Sequence, residues 1–175
     1  YSEAKAYPVT LTVSDGADTG TDVRIVHILA RPLATRARHT TPIALSPAGD
    51  RLYVANPDSN SVSIVAVSAA GLTLLEERPV CRQPRTVSLD ETAKNLFVAC
   101  QGEQAIAVVD LASGDTTLIP VGSGPYGVLA LASGGLLVTN QEAGTLTRIA
   151  ADRAAQQTIA VGNDPRAIAV SADGK

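Results

Sequence analysis

The sequence predicts an all-β protein: a partial β-propeller of three four-stranded blades and the start of a fourth, forming an open arc after an N-terminal β-hairpin. Three observations lead to this prediction. A unit of about 40 residues recurs four times with the same internal order. Each complete unit holds four short apolar strands, and turns rich in Gly, Asp and Ser separate them. A lone four-stranded unit cannot bury both of its faces, so neighbouring units must stack against it.

The four units open at Thr40, Pro84, Pro125 and Pro165. The first strand of each leads into the turns SPAGD, DETAK, ASGG and SADGK. The second strands read LYVAN, LFVAC and LLVTN, the third SVSIVAV, AIAVVDL and TLTRIAA, and the fourth LTLLEERPV, DTTLIPVG and AQQTIAVG. One helical turn in ADRAAQQ is an alternative there, but closely spaced turn signals and β-branched residues exclude a long helix.

Composition narrows the classes of function. The chain is 45% hydrophobic and 18% charged, and its net charge of −3 is spread without blocks, so no nucleic-acid partner is expected. No apolar run is long enough to span a membrane. The sequence has no haem-attachment motif, no phosphate-binding loop and no Ser, His and Asp in the order of a hydrolase triad. No cofactor and no catalytic side chain are therefore predicted from the residues.

The repeated motifs resemble those of a known family. LYVAN (residues 52–56) and LLVTN (residues 136–140) are similar to the YVTN motif. VGSGP (residues 121–125) and VGNDP (residues 161–165) are similar to the VGxxP loop between its blades, and SPAGD and SADGK to its SPDGK turn. Residues 40–175 therefore resemble the YVTN-type, lactonase-like β-propellers.

The resemblance implies a propeller that commonly has seven blades, typical of bacterial periplasm, surface layers and secreted multidomain proteins. It leads us to expect an extracytoplasmic location, with the remaining blades outside this chain. The leading hypothesis is a non-catalytic binding or scaffold module of a larger protein, with a protein or small-molecule ligand that the sequence does not identify. The alternative is an enzyme-associated propeller: a lactonase-like hydrolase, or a partner domain of a c-type cytochrome redox protein.

The N-terminal segment differs from the repeat. AYPVTLTVSDG (residues 6–16) and TDVRIVHIL (residues 21–29) form two alternating strands around a turn. Residues 1–29 resemble the final hairpin of a PKD domain, an immunoglobulin-like sandwich; the alternative is that this hairpin belongs to the propeller. Residues 30–39, ARPLATRARH, are interpreted as an exposed linker between this hairpin and the blades.

The only two cysteines fall where the repeat departs from the family pattern. Cys81 stands in place of the VGxxP glycine, and Cys100 in place of the YVTN asparagine. The predicted hairpin sets Pro84 opposite Cys100, which brings the two sulfurs near each other. A disulfide and two separate thiols both remain open, since a bond needs Cα atoms within about 7 Å.

Candidate binding residues come from the loops. The blade connectors and the loops after the second strands should gather on one face, where binding residues usually lie. Arg85 and Arg166 follow the opening proline of their units; their guanidiniums are suited to a carboxylate, although hydrogen bonding between loops is the simpler interpretation. The two histidines, His27 and His39, lack clustered ligands, so no metal site is expected. The candidate set is Arg82, Arg85, Tyr126, Asn140, Glu142 and Arg166.

Overall fold

A computed structural model describes residues 5–14, 19–28, 38–90 and 92–171 of the chain. The chain divides into two compact units, Tyr1–Thr35 and Arg36–Lys175. The first unit is a hairpin of β1 (Lys5–Ser14) and β2 (Thr19–Ile28), paired antiparallel along their whole length. Thr10 and Thr12 are exposed on β1, on the side that the alternating pattern assigns to polar residues. The predicted turn at residues 15–18 and linker residues 30–37 lie outside the described residues.

The second unit holds three four-stranded antiparallel blades. Blade 1 is β4 (Ile43–Leu45), β5 (Arg51–Asn56), β6 (Ser61–Ser68) and β7 (Gly71–Pro79). Blade 2 is β8 (Pro84–Leu89), β9 (Asn95–Cys100), β10 (Ala105–Asp110) and β11 (Thr116–Pro120). Blade 3 is β12 (Pro125–Ala130), β13 (Leu136–Asn140), β14 (Thr145–Ile149) and β15 (Gln156–Ala160). Strands pair in chain order within each blade, so the predicted all-β partial propeller is confirmed.

The fourth unit is represented by β16 (Ala169–Val170), which pairs antiparallel with β3 (Arg38–His39). The backbone N–H of Thr40 extends this pairing by donating to the carbonyl of Ile168 at 2.9 Å. The last two residues of the predicted linker are therefore a strand and not an open connection, because their backbone groups find partners beside β16. No helix in the described part of the chain has the length and hydropathy needed to cross a membrane.

Blade 2 is covered on both faces. Leu96, Val98 and Cys100 of β9 pack in the core shared with blade 1, whereas Phe97 and Ala99 pack in the core shared with blade 3. All five residues are at most 1% exposed. A strand buried on both sides needs no polar alternation, which explains why LFVAC is uniformly apolar. The single phenylalanine of the chain fills the second core, with the Arg153 guanidinium 5.3 Å above its ring centre.

The first strands lie innermost. β4 contacts β8, and β8 contacts β12. Two side chains of β8 join it to β12: the Thr86 hydroxyl donates to the carbonyl of Tyr126 at 2.7 Å, and the Ser88 hydroxyl accepts from the N–H of Ala130 at 3.0 Å. Neighbouring blades are thus held by side-chain hydrogen bonds near the axis as well as by apolar contact further out.

The outer blades leave apolar side chains uncovered. Leu72 and Leu74 of β7 are 69% and 60% exposed, and Ile43 and Leu45 of β4 are also exposed. At the other end of the arc, Ile159 of β15 is 50% exposed. Leu118 on the fourth strand of the central blade is also 50% exposed, so exposure on a fourth strand does not by itself mark an end blade. The exposed first strand β4, compared with the largely buried β8 and β12, does fit a blade with one uncovered face.

The turns between first and second strands use one backbone geometry with different residues. Gly49 and Gly134 have positive φ angles of 77° and 87°, and Ala93 at the equivalent place has a φ of 51°. In each turn the N–H of this residue donates to the carbonyl three residues earlier. Left-handed backbone is unfavourable for a residue with a Cβ, so Ala93 carries local strain that the two glycines do not.

We expect Ala93→Gly to raise the free energy of unfolding by about 1 kcal/mol, because the strained alanine is replaced by a residue that adopts this φ freely. Denaturant unfolding of the two proteins measures the difference. The matched control is Gly49→Ala, where no atom lies within 4 Å of the added Cβ. That variant should lose about the same amount from backbone conformation alone. A lower stability for Ala93→Gly would contradict this account.

Candidate functional site

One end of the blades collects the connectors between blades and the loops after the second strands. Each connector opens with a valine whose N–H donates to the carbonyl of the last residue of the preceding loop, at 2.9 to 3.1 Å. The pairs are Val80 with Asn60, Val121 with Gln104, and Val161 with Gly144. We call this surface the connector face; it comprises residues 57–60, 80–85, 101–104, 121–126, 141–144 and 161–166.

The connectors turn at the residue before each blade-opening proline. Gln83, Gly124 and Asp164 occupy this position and have φ angles of 51°, 63° and 59°. Three different residues thus adopt the same left-handed backbone, which glycine adopts freely and aspartate tolerates better than most residues. The turn brings the side chains that follow the prolines, Arg85 among them, to the start of the innermost strands.

A chain of side-chain hydrogen bonds crosses this face from blade 2 to the fourth unit. Arg85 Nε donates to Gln101 Oε1, and Gln101 Nε2 donates to Gln141 Oε1 at 3.1 Å. Gln141 Nε2 then donates to Asp164 Oδ1, and Arg166 pairs with the same carboxylate, Nη2 to Oδ2, at 3.1 Å. We call these five residues the connector-face relay. Loop-to-loop hydrogen bonding therefore accounts for one nitrogen of Arg85, as the simpler interpretation expected.

Gln101 and Gln141 were missed by sequence reasoning. Both directly follow the last residue of a second strand, so they are equivalent positions in blades 2 and 3. The only signal in the sequence was a glutamine at the same phase of two successive units, and surface glutamines are too common for that signal to stand out. Each glutamine side chain is long enough for its amide group to bridge the space between adjacent blades.

The relay ends in an ion pair that remains open to solvent. The side chains of Asp164 and Arg166 are 56% and 57% exposed. Hydrogen bonds from Gln141 and then Arg166 lower the pKa of Asp164 below its ordinary value, so this carboxylate is ionised at neutral pH. The Arg166 guanidinium also lies 5.6 Å from the ring centre of Tyr126. Three of the predicted candidates, Arg85, Tyr126 and Arg166, are therefore connected through one network.

The other three candidates are placed differently. Arg82 is exposed, and its Nη2 donates to the carbonyl of Gly102 at 2.7 Å. Glu142 is exposed and accepts from the Ser123 hydroxyl at 2.7 Å. Asn140, by contrast, is 0% exposed and is not presented on the connector face as the sequence suggested. It is buried because Gly122 of the connector packs directly over its amide.

The two cysteines form a disulfide with a Cα–Cα distance of 5.8 Å. Pro84 pairs with Cys100 in the antiparallel register of β8 and β9, which is the arrangement that the repeat alignment predicts. The bond ties the connector entering blade 2 to the end of its second strand. Cys81 is 7% exposed and Cys100 is 0% exposed, so the bond is covered by the core of blades 1 and 2.

The described residues contain no group of three or more histidine, cysteine or carboxylate side chains placed to hold a metal ion. A separate cleft of about 650 Å³ lies between blades 1 and 2 at the opposite ends of the strands. Tyr53, Arg78 and Lys94 are among its lining residues, and none of the predicted candidates lines it. The relay and this cleft therefore occupy opposite ends of the blades.

The profile of the family described as "Lactonase, 7-bladed beta-propeller" matches residues 9–127. The chain belongs to this family. A curated relative, the 6-phosphogluconolactonase of Pectobacterium atrosepticum, is 33% identical over 102 residues, which make up 54% of this chain and 31% of that protein. The chain thus spans about a third of the length of the curated relative it matches.

Two solved structures illustrate the shared fold. The hydrazine synthase of Kuenenia stuttgartiensis has a TM-score of 0.66 at 22% identity, covering 85% of this chain and 43% of that one. The periplasmic gluconolactonase of Pseudomonas aeruginosa has a TM-score of 0.58 at 19% identity, covering 83% and 45%. At these identities the likeness shows the propeller fold alone.

These findings overturn the leading hypothesis of a non-catalytic binding or scaffold module. The lactonase family and the 6-phosphogluconolactonase relative support the enzymatic alternative instead. The hypothesis was wrong because the absence of a Ser-His-Asp order does not exclude hydrolysis: guanidinium and carboxylate groups also carry acyl-transfer chemistry. The family match begins at residue 9 and includes all of β2. The resemblance of residues 1–29 to a PKD-type hairpin stays a prediction.

The relay gives a pH prediction at Asp164. Removing the amide donor in Gln141→Ala should raise the pKa of Asp164 towards its ordinary value of about 4, because the hydrogen bond that favours the ionised form is lost. A carbon-detected NMR titration of the Asp164 carboxyl measures this. Gln101→Ala is the control: Gln101 donates to Gln141 and not to Asp164, so the pKa should change little. An equal shift in both variants would disprove a direct bond.

Proposed function

We propose that this chain contributes to the hydrolysis of a sugar-acid lactone and that the connector-face relay lies at the site of reaction. The observation that carries the proposal is the relay itself, which presents two arginines and an ionised carboxylate on one loop face of a chain that belongs to the lactonase family. Support for the class of substrate comes from the 6-phosphogluconolactonase relative.

The chemistry fits these groups. In lactone hydrolysis a water adds to the carbonyl carbon, negative charge develops on the carbonyl oxygen, and the ring C–O bond breaks while the ring oxygen takes up a proton. A guanidinium next to the carbonyl oxygen stabilises the developing charge, and one beside a phosphate or hydroxyl group orients the substrate. We assign these tasks to Arg166 and Arg85.

The two carboxylates of this face have different tasks in the proposal. The lowered pKa of Asp164 makes it a weak base, and its pairing with Arg166 suits it to orienting that guanidinium. In the described part of the chain Glu142 has one hydrogen-bond partner, the Ser123 hydroxyl, which donates to Oε2, and Glu142 is exposed, so Oε1 can take a proton from water. We therefore assign Glu142 as the general base.

The location proposed for the protein is extracytoplasmic. The Cys81–Cys100 disulfide supports this, because disulfides persist in oxidising compartments such as the bacterial periplasm. The gluconolactonase neighbour is itself described as periplasmic.

The test is a lactone-hydrolysis assay on the intact natural protein, with gluconolactone and its 6-phosphate as substrates and the spontaneous rate subtracted. Arg166→Gln and Glu142→Gln should each lower kcat/KM about 100-fold, the usual effect of losing one charge-stabilising or proton-transfer group. Arg148→Gln, which changes an exposed arginine on β14 away from the relay, is the matched control and should stay within about twofold.

Two results would count against the proposal. Hydrolysis no faster than the spontaneous rate for both lactones would exclude the activity. Full activity in both the Arg166 and Glu142 variants would show that the protein hydrolyses lactones at a site other than the connector face.

A further inference from the structure

Blade 3 fastens the loop after its second strand with a buried amide. Asn140, the last residue of β13, donates from Nδ2 to the hydroxyls of Thr145 at 3.0 Å and Thr147 at 2.9 Å. Both threonines lie on β14, so one side chain joins the two strands that the loop at residues 141–144 connects. We call this arrangement the amide latch.

Blade 1 repeats the amide latch with the same spacing. Asn56, the last residue of β5, donates from Nδ2 to the hydroxyls of Ser61 at 3.2 Å and Ser63 at 2.8 Å. These acceptors lie five and seven residues after the asparagine, as in blade 3. The latch is therefore a feature of the repeat and not an isolated contact.

Blade 2 has replaced all three members of the amide latch. Cys100 stands at the asparagine position, and Ala105 and Ala107 stand where the hydroxyl residues would be. All three are at most 4% exposed. An asparagine at position 100 would have no side-chain hydroxyl to receive its amide protons, and burying an unpaired donor is unfavourable. With Cys100, Ala105 and Ala107 in place, blade 2 buries no unpaired amide donor at this position.

The connector side of the contact has changed in step. In blade 3 the connector residue is Gly122, and a Cβ there would lie only 2.8 Å from Asn140 Cγ. In blade 2 the equivalent residue is Cys81, which fills this space and bonds to Cys100. The disulfide thus joins the same two backbone positions that the glycine–asparagine contact brings together in blade 3.

We propose that the Cys81–Cys100 disulfide is a redox-sensitive latch that takes the place of the amide latch, so that reduction loosens the connector face at blade 2 only. Once reduced, this blade has neither the covalent link nor the asparagine bonds that hold its neighbours. The N–H of Gln101 donates to the carbonyl of Gln83, and that of Gly102 to Arg82, both at 3.1 Å. These bonds join the two segments that the disulfide ties, and Gln101 is also the relay member that links Arg85 to Gln141.

The redox step is a thiol–disulfide exchange with a dithiol. One thiolate of the dithiol attacks Sγ of Cys81, the more exposed of the two residues, and the Cys100 thiolate leaves and takes up a proton. The second dithiol sulfur then closes the reagent into its own disulfide and releases Cys81, which also takes up a proton. Two electrons and two protons thus pass from the dithiol to the protein.

Native-state hydrogen exchange of the chain, with and without an excess of dithiol, tests the proposal. We expect reduction to lower the hydrogen-exchange protection of the Gln101 and Gly102 amides about tenfold, because the disulfide no longer restrains local opening of these two segments. The blade 3 amides that donate to the equivalent connector carbonyls are those of Gln141, which donates to Gly124, and Ala143, which donates to Ser123; their protection should not change. Equal loss in both blades, or no loss in either, would overturn the proposal.

A transplant separates the latch from a general effect of the reductant. The variant Cys81→Gly, Cys100→Asn, Ala105→Thr, Ala107→Thr gives blade 2 the amide latch of blade 3. It should keep the protection of Gln101 and show no response to dithiol. Cys81→Ala with Cys100→Ala is the control without either latch and should match the reduced protein in both conditions. If this control is as protected as the oxidised protein, the disulfide is not the latch.

Discussion

The structure depends on the fact that a four-stranded blade cannot bury both of its own faces. Blade 2 shows the solution: β9 places Leu96 and Val98 against blade 1 and Phe97 and Ala99 against blade 3. Its stability is therefore a property of three blades and not of one. Blade 1 shows the effect of an uncovered face, since Ile43 and Leu45 of its first strand are exposed, whereas the first strand of blade 2 is largely buried.

Stacking fixes where chemistry can be placed. Because the first strands meet near the axis, each connector delivers the residue after its proline to nearly the same place in successive blades. The left-handed residue before the proline repeats this geometry whether it is glutamine, glycine or aspartate. Side chains from different units can then join into one network, as Arg85 and Arg166 do through two glutamines. The polar face is a consequence of the packing that the apolar strands impose.

The features that could be predicted from the sequence are those that depend on the local pattern of residues. The phase of the repeat predicted the blades and the register that sets Pro84 opposite Cys100, because strand alternation and turn chemistry are encoded within a few residues. It did not reach the relay, because whether Gln101 contacts Gln141 depends on the distance between blades. It misplaced Asn140 for the same reason: only the approach of Gly122 shows that this polar side chain is covered.

The three second-strand ends show how one structural task is met by two chemistries. Blades 1 and 3 use an amide that needs two hydroxyl acceptors, and in blade 3 the carbonyl oxygen of Asn140 is buried without a partner among the described residues. Blade 2 uses a covalent bond that needs no acceptor and leaves no such oxygen. The substitutions at 81, 100, 105 and 107 are therefore interdependent: any one of them alone would leave a clash, an unpaired polar group or a free thiol. Blades 1 and 3 keep the amide latch, whereas blade 2 has the disulfide. The connector face at blade 2 therefore depends on the redox state of the surroundings, and the same face at blades 1 and 3 does not.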